Sequence, residues 1–241
     1  MLIAAGAVCV GVASVIGGAT GFGAALVATP LMLLAGYDVS EVVVINLVAG
    51  LVTRVDVVVR LRDHIDWRRV ALLGAGSVPG AWLGAVTLQW LPEHQMKQAV
   101  GALVVLCGVA MGLLRAGPPY VPSPGAHAVV GAIGGYLGTT TSLNGPPPVL
   151  LLIRARLAPL AFIADLAGYF VVANLLSLAV LASRDAVPSQ VLSPALLLLV
   201  PVAVVGNIAG LWTARRLPAQ AFRTAVVVLV VLAGALTVAV G

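Results

Sequence analysis

The sequence predicts an all-α integral membrane protein made of two inverted repeats, each a broken, re-entrant helix hairpin followed by three transmembrane helices. Three observations lead there. Of 241 residues, 61% are hydrophobic and 9% charged, with a mean hydropathy of +1.13. A soluble chain of this length cannot bury so much apolar surface, and the long apolar runs differ from the alternating segments of a β-barrel. Second, glycines and hydroxyls interrupt the apolar pattern in two corresponding places, Gly17–Pro30 (GGATGFGAALVATP) and Leu137–Pro148 (LGTTTSLNGPPP). Third, the halves align. With an offset of 118, Pro30 falls on Pro148 and Gly50 on Gly168; with 126, Gly80 and Gly84 fall on Gly206 and Gly210, and Pro92 on Pro218. The difference is one longer loop, SRDAVPSQVLS.

In order, repeat 1 covers 1–115. Residues 2–16 and 24–36 are expected as half-helices around the Gly17–Gly23 break, since neither flank reaches the ~20 residues of an unbroken span. Gly36 ends the second as a C-terminal glycine. Spans follow at 41–59, entered through Asp38, Ser40 and Glu41, then at 70–90 with Trp82 and Trp90 as interfacial anchors, and at 98–114. The first sixteen residues carry no preceding Lys or Arg, so they read as a retained membrane element rather than a signal peptide. A Pro- and Gly-rich linker, 116–125, leads into repeat 2 at 126–241. There the TTTSLNGPPP break lies between two half-helices, the second running to Ile153, followed by spans at 160–182, 194–213 and 219–240.

Charge fixes the expected orientation. With hairpins that return to their starting side, the loops at 60–69, 115–127, 154–159 and 215–223 share one face and carry ten Lys and Arg, against two, Lys97 and Arg184, on the other. Positive loops stay in the cytoplasm. The chain is therefore expected in the cell (inner or plasma) membrane, multi-pass, with both termini outside. The +5 net charge forms no run long enough for nucleic acid. Cys9 and Cys107 lie in apolar runs without metal-ligand spacing and read as core residues, and neither a metal nor another cofactor is expected.

A break at membrane depth frees backbone groups at several kcal/mol each, so it persists only inside protein or against a polar cavity, and paired breaks in two halves point to a transporter's substrate site. Helix N-termini near Phe22–Ala24 and Asn144–Pro146, the latter with Asn144 as cap, present N–H groups and a partial positive charge suited to a small anion. Gly21, Gly23 and Gly145 let the backbone approach it. Thr20, Thr139, Thr140, Thr141 and Ser142 add hydroxyl donors without fixed charge, which suits binding that must also release; the alternative is that small residues there merely pack helices closely. Arg54 reads either as the cation that recruits the anion or as a side chain snorkelling to the interface near Asp56. Asp165 could carry a coupling proton, pair with Arg54, or sit at the interface. Asn46, Asn174, Tyr169 and Asn207 line the path or bond helix to helix. His64, His94 and His127 fall in expected loops.

The opening GGATGFGAALVATPLMLLAG, the repeated break with a proline near its end, and the G-x-x-x-G with a downstream Leu-Pro in each half resemble the sulfite exporter TauE/SafE family of membrane permeases. The resemblance covers nearly the whole chain; the second break departs from the glycine-rich form. It implies a permease for small sulfur-containing anions such as sulfite, sulfonates or sulfoacetate, often as export. The expected partners are thus a small anionic substrate and the lipid bilayer, with a homodimer as one assembly the chain allows. The leading expectation is a secondary transporter working by alternating access; an anion channel and a membrane enzyme acting on lipid phosphates are the alternatives. The enzyme is disfavoured, since no acid, base or nucleophile cluster lies within a span.

Overall fold

The computed structural model describes residues 2–90, 92–113, 121–188, 194–214 and 219–240. They form ten α-helices: α1 Leu2–Thr20, α2 Ala24–Leu34, α3 Val39–Leu61, α4 Trp67–Trp90, α5 Glu93–Leu113, α6 Pro124–Thr141, α7 Pro146–Arg154, α8 Pro159–Ser183, α9 Pro194–Ala214 and α10 Ala219–Val240. A single 3-10 turn, Arg62–His64, joins α3 to α4. Four helices, α1, α3 with its turn, α4 and α8, are long and apolar enough to cross a membrane. The expected spans appear within a few residues of their expected ends. Residues 116–120 of the linker, Arg115, Arg215 and Arg216, and 189–193 of the long loop lie outside the described residues.

The helices before the two breaks run further than expected. α1 runs 19 residues and α6 runs 18, whereas α2 has 11 and α7 has 9. Each break is shorter than expected, at 21–23 and 142–145. The reason is that Gly17 and Gly18 serve contact rather than interruption. A Cβ on Gly17 would run into Ala24, and one on Gly18 into the Asn207 carbonyl. The chain folds back at Gly21, whose φ of +86° favours glycine, and this brings α2 against α1. At the other end of α2, Gly36 (φ +96°) lets the Tyr37 N–H reach the Met32 carbonyl at 3.1 Å, a C-terminal glycine cap as expected. The Asp38 N–H donates to Glu41 Oε2 at 3.1 Å, which closes the entry of α3 in the manner of a capping box.

The contacts divide the chain into two units: Met1–Ala49, Trp90–Leu114 and Pro188–Gly241, and Gly50–Gln89 with Arg115–Val187. Each takes elements from both halves of the sequence. In the first unit, α9 lies on α1: a Cβ on Gly206 would approach the Gly11 carbonyl, and one on Gly210 the Val15 carbonyl. Residue numbers rise together on the two helices, so they run parallel. α5 lies on α10 with Gly101 against Gly234 and Val238, and Gly108 against Val230 and Val231. Here numbers rise on one helix as they fall on the other, so these two run antiparallel.

In the second unit the parallel pair recurs with the other members. Cβ atoms on Gly76, Gly80 and Gly84 of α4 would strike the carbonyls of Ala128, Ala132 and Tyr136 on α6, and those on Gly131 and Gly135 would strike Leu73 and Ser77. Only bare Cα atoms permit backbones this close, and in lipid such packing rather than a hydrophobic drive holds helices together. The start of α4 is anchored separately. Ile65, Val70 and Ala164 form a buried cluster with Val58, Leu61 and Val172 around it.

Candidate functional site

The first break is held by Thr20. Its hydroxyl donates to the Ile16 carbonyl at 2.8 Å, and its oxygen accepts from the Gly23 N–H at 2.9 Å. The Gly21 N–H donates to the Gly17 carbonyl at 2.8 Å. Gly23, the N-cap of α2, has no side chain with which to cap. Ala24, Ala25 and Leu26 open that helix, and their N–H groups belong to the set an α-helix leaves without an internal partner. Phe22 is half-buried beside them.

The second break is built differently, and every residue from Thr139 to Pro146 is buried. Ser142 adopts a left-handed conformation (φ 60°) that ends α6, with its N–H donating to the Gly138 carbonyl at 3.1 Å and that of Leu143 to the Leu137 carbonyl at 3.2 Å. The Thr140 hydroxyl donates to Tyr136 and that of Thr141 to Leu137, both at 2.8 Å. Thr139 lies within reach of the Gly135 carbonyl at 3.1 Å and, across the helix pair, the Ala81 carbonyl at 3.2 Å. Ser142 donates to the Thr141 carbonyl at 2.6 Å. In this conformation the hydroxyl protons expected to face an anion are thus directed to backbone carbonyls. Thr141 also accepts the Leu143 N–H at 3.3 Å, the arrangement that Thr20 makes in the first break.

Asn144 does not cap α7. The N-cap is Gly145, without a side-chain bond, and Asn144 Nδ2 instead donates to Asn174 Oδ1 of α8 at 2.7 Å. Pro146, Pro147 and Pro148 open α7 and have no N–H to offer, and the Val149 N–H returns to the Gly145 carbonyl at 3.1 Å. The two breaks therefore differ in chemistry: the first exposes a run of backbone N–H groups, the second chiefly side-chain amides.

Arg54 is buried, 8% exposed, with its guanidinium carbon 5.9 Å from the centre of the Phe170 ring, a cation–π distance. Asp56, the acid to which it would have snorkelled, instead holds Arg60 at 2.8 Å on the surface. Asp165 is wholly buried. Its carboxylate accepts from Arg69 Nε and from the Asp66 N–H, both at 2.7 Å. It thus ties the start of α4 to α8 instead of pairing with Arg54. Asn46 Nδ2 donates to Thr29 Oγ1 at 3.0 Å, a bond from helix to helix. His127 lies in the first turns of α6 and is buried, rather than in a loop, and His94 lies in α5. Thr20–Gly23 and Asn46 belong to the first unit; Arg54, Thr139–Ser142, Asn144, Gly145 and Asp165 belong to the second. The sequence reading passed over Ser177, which follows Asn174 by three residues on the same face of α8. That spacing was the signal for it.

The family described as sulfite exporter TauE/SafE matches residues 5–237. The chain belongs to the TauE/SafE family. A TauE/SafE protein of Cupriavidus necator H16, named as a probable sulfite/organosulfonate exporter TauE, is 26% identical over 205 residues, covering 83% of this chain and 77% of that one. No solved structure matches. Membership places the chain among multi-pass membrane transporters rather than enzymes, and it agrees with the resemblance read from Gly21-Phe22-Gly23 and Pro30.

Proposed function

We propose that this chain exports a small sulfur-containing anion, sulfite or an organosulfonate, as a secondary transporter working by alternating access, with its candidate substrate donors at the second helix break. The carrying observation is the second break. It is buried within its unit and rich in neutral hydrogen-bonding groups, and a buried Arg54 lies on the same unit, where Gly50, one turn before it on α3, abuts Asn174. Irregular backbone so placed within a membrane protein lines a site rather than lipid. Neutral donors around an anion bind without trapping it. Within the first unit, Thr20, Gly21, Phe22 and Gly23 shape the first break and leave the opening N–H groups of α2 as its donors; within the second, the Asn144 amide and the Gly145 N–H are the candidate donors, lined by Thr139, Thr140, Thr141 and Ser142, whose hydroxyls turn to carbonyls in this conformation. Asn46 supports the first group.

Inversion of the repeats is supported by α5 and α10. They are the last spans of their halves and run antiparallel in one unit, as equivalent helices of inverted repeats do. The cytoplasmic face then carries the loops rich in arginine, and the termini lie outside. The test is flux into proteoliposomes with sulfite, sulfoacetate, acetate, chloride and an uncharged solute. Saturable uptake and counterflow restricted to the sulfur oxyanions are expected. Equal transport of uncharged solutes would remove the donor site, and flux that never saturates would make the protein a channel.

A further inference from the structure

We infer that Ser177 is a substrate ligand at the second break, donating its hydroxyl to an oxygen of the anion beside the Asn144 amide. This rests on the anion-export reading above and adds a residue to it. Ser177 is wholly buried, yet its Oγ has no hydrogen-bond partner among the described residues. A buried hydroxyl left so costs about 1–3 kcal/mol, and most native hydroxyls find a partner. An unmet donor inside a transporter therefore calls for a ligand that comes and goes.

Its surroundings are arranged for one. A Cβ placed on Gly138 would lie 3.2 Å from Ser177 Oγ, 3.3 Å from Asn144 Cβ and 3.7 Å from Asn144 Nδ2, so a bare glycine faces the point where the two side chains meet. Asn144 gives one amide hydrogen to Asn174 at 2.7 Å and keeps the second. Asn174 Nδ2 lies 2.8 Å from where Gly50 would carry a Cβ, so a second glycine stands against the adjoining amide. The hydroxyl and the two amides, all neutral and all in one unit, form a short row over Gly138 and Gly50. Such a row matches the oxygens of a sulfite or sulfonate group without the tight hold of a fixed charge.

The test uses the full chain purified in detergent, with binding of radiolabelled sulfite and sulfoacetate and thermal unfolding measured on the same samples. For Ser177→Ala, sulfite affinity is expected to fall about tenfold or more, in keeping with the loss of a bond to a charged acceptor. The unfolding temperature without substrate should hold or rise, because the unmet hydroxyl is gone. Ser177→Thr, which keeps the hydroxyl, should retain most of the affinity. Gly138→Ala should weaken both anions by filling the space. Sulfite affinity in Ser177→Ala equal to that of the wild type would overturn the assignment while leaving anion export intact. A wild type that binds neither anion would overturn the export reading itself, and the assignment with it.

Discussion

Asn144 and Asp165 are both buried polar side chains bonded to α8 or carried on it, and they answer to different tests. Removing the Asn144 amide strips a donor from the second break and leaves Asn174 Oδ1 without the 2.7 Å bond it now accepts. Asn144→Ala is expected to raise the KM for sulfite several-fold and to cost about 1–3 kcal/mol of stability, measured by flux titration and denaturation in detergent. Asp165→Ala breaks an ion pair between this wholly buried carboxylate and the partly exposed Arg69, and the structure predicts a loss of about 1–3 kcal/mol with KM little changed in the protein that remains folded. A proton-coupling role would show the reverse pattern: normal unfolding, but transport no longer driven by a pH gradient. The types of these residues were legible in the sequence, their partners were not. An asparagine before Gly-Pro-Pro-Pro satisfies every local rule for a cap, and only the arrival of α8 decides that its amide turns to Asn174 instead.

The same lesson holds for the helices. Hydropathy located the long helices among the described residues, because a sustained apolar run is written directly into composition. The lengths of α1 and α6 were misjudged because glycine is ambiguous: it ends helices where φ must be positive, as at Gly21, and permits contact where a carbonyl comes close, as at Gly18. Threonine hides in the same way, since a hydroxyl bonded to the carbonyl four residues back leaves the helix intact. The G-x-x-x-G pairs test the contact role. Gly80→Ala and Gly210→Ala each push a methyl into backbone of the neighbouring helix, at Ala132 and Val15. Each should destabilise by about 1–3 kcal/mol, whereas Gly125→Ala, whose nearest neighbour is the Ser123 hydroxyl at 3.9 Å, should leave the unfolding midpoint unchanged. Equal midpoints for all three would contradict the close approach.

For the whole molecule, the distribution of arginine predicts sidedness. Single cysteines placed at exposed His64 and Ser183, in a chain with Cys9 and Cys107 replaced, should react with a membrane-impermeant maleimide from opposite sides of the membrane, position 64 from the cytoplasm. Labelling of both from one side would refute the inverted arrangement. The interleaving of the two units, which hydropathy could not reveal, bears on biogenesis. Segments of the second unit are all synthesised by Val187, so it can close while the last helices are still in the ribosome. α1 must meanwhile wait in the bilayer for a partner that emerges some two hundred residues later. A nascent chain stalled just past Val187 should already resist protease over its middle while its first helix remains open to crosslinking by lipid or by the insertion machinery.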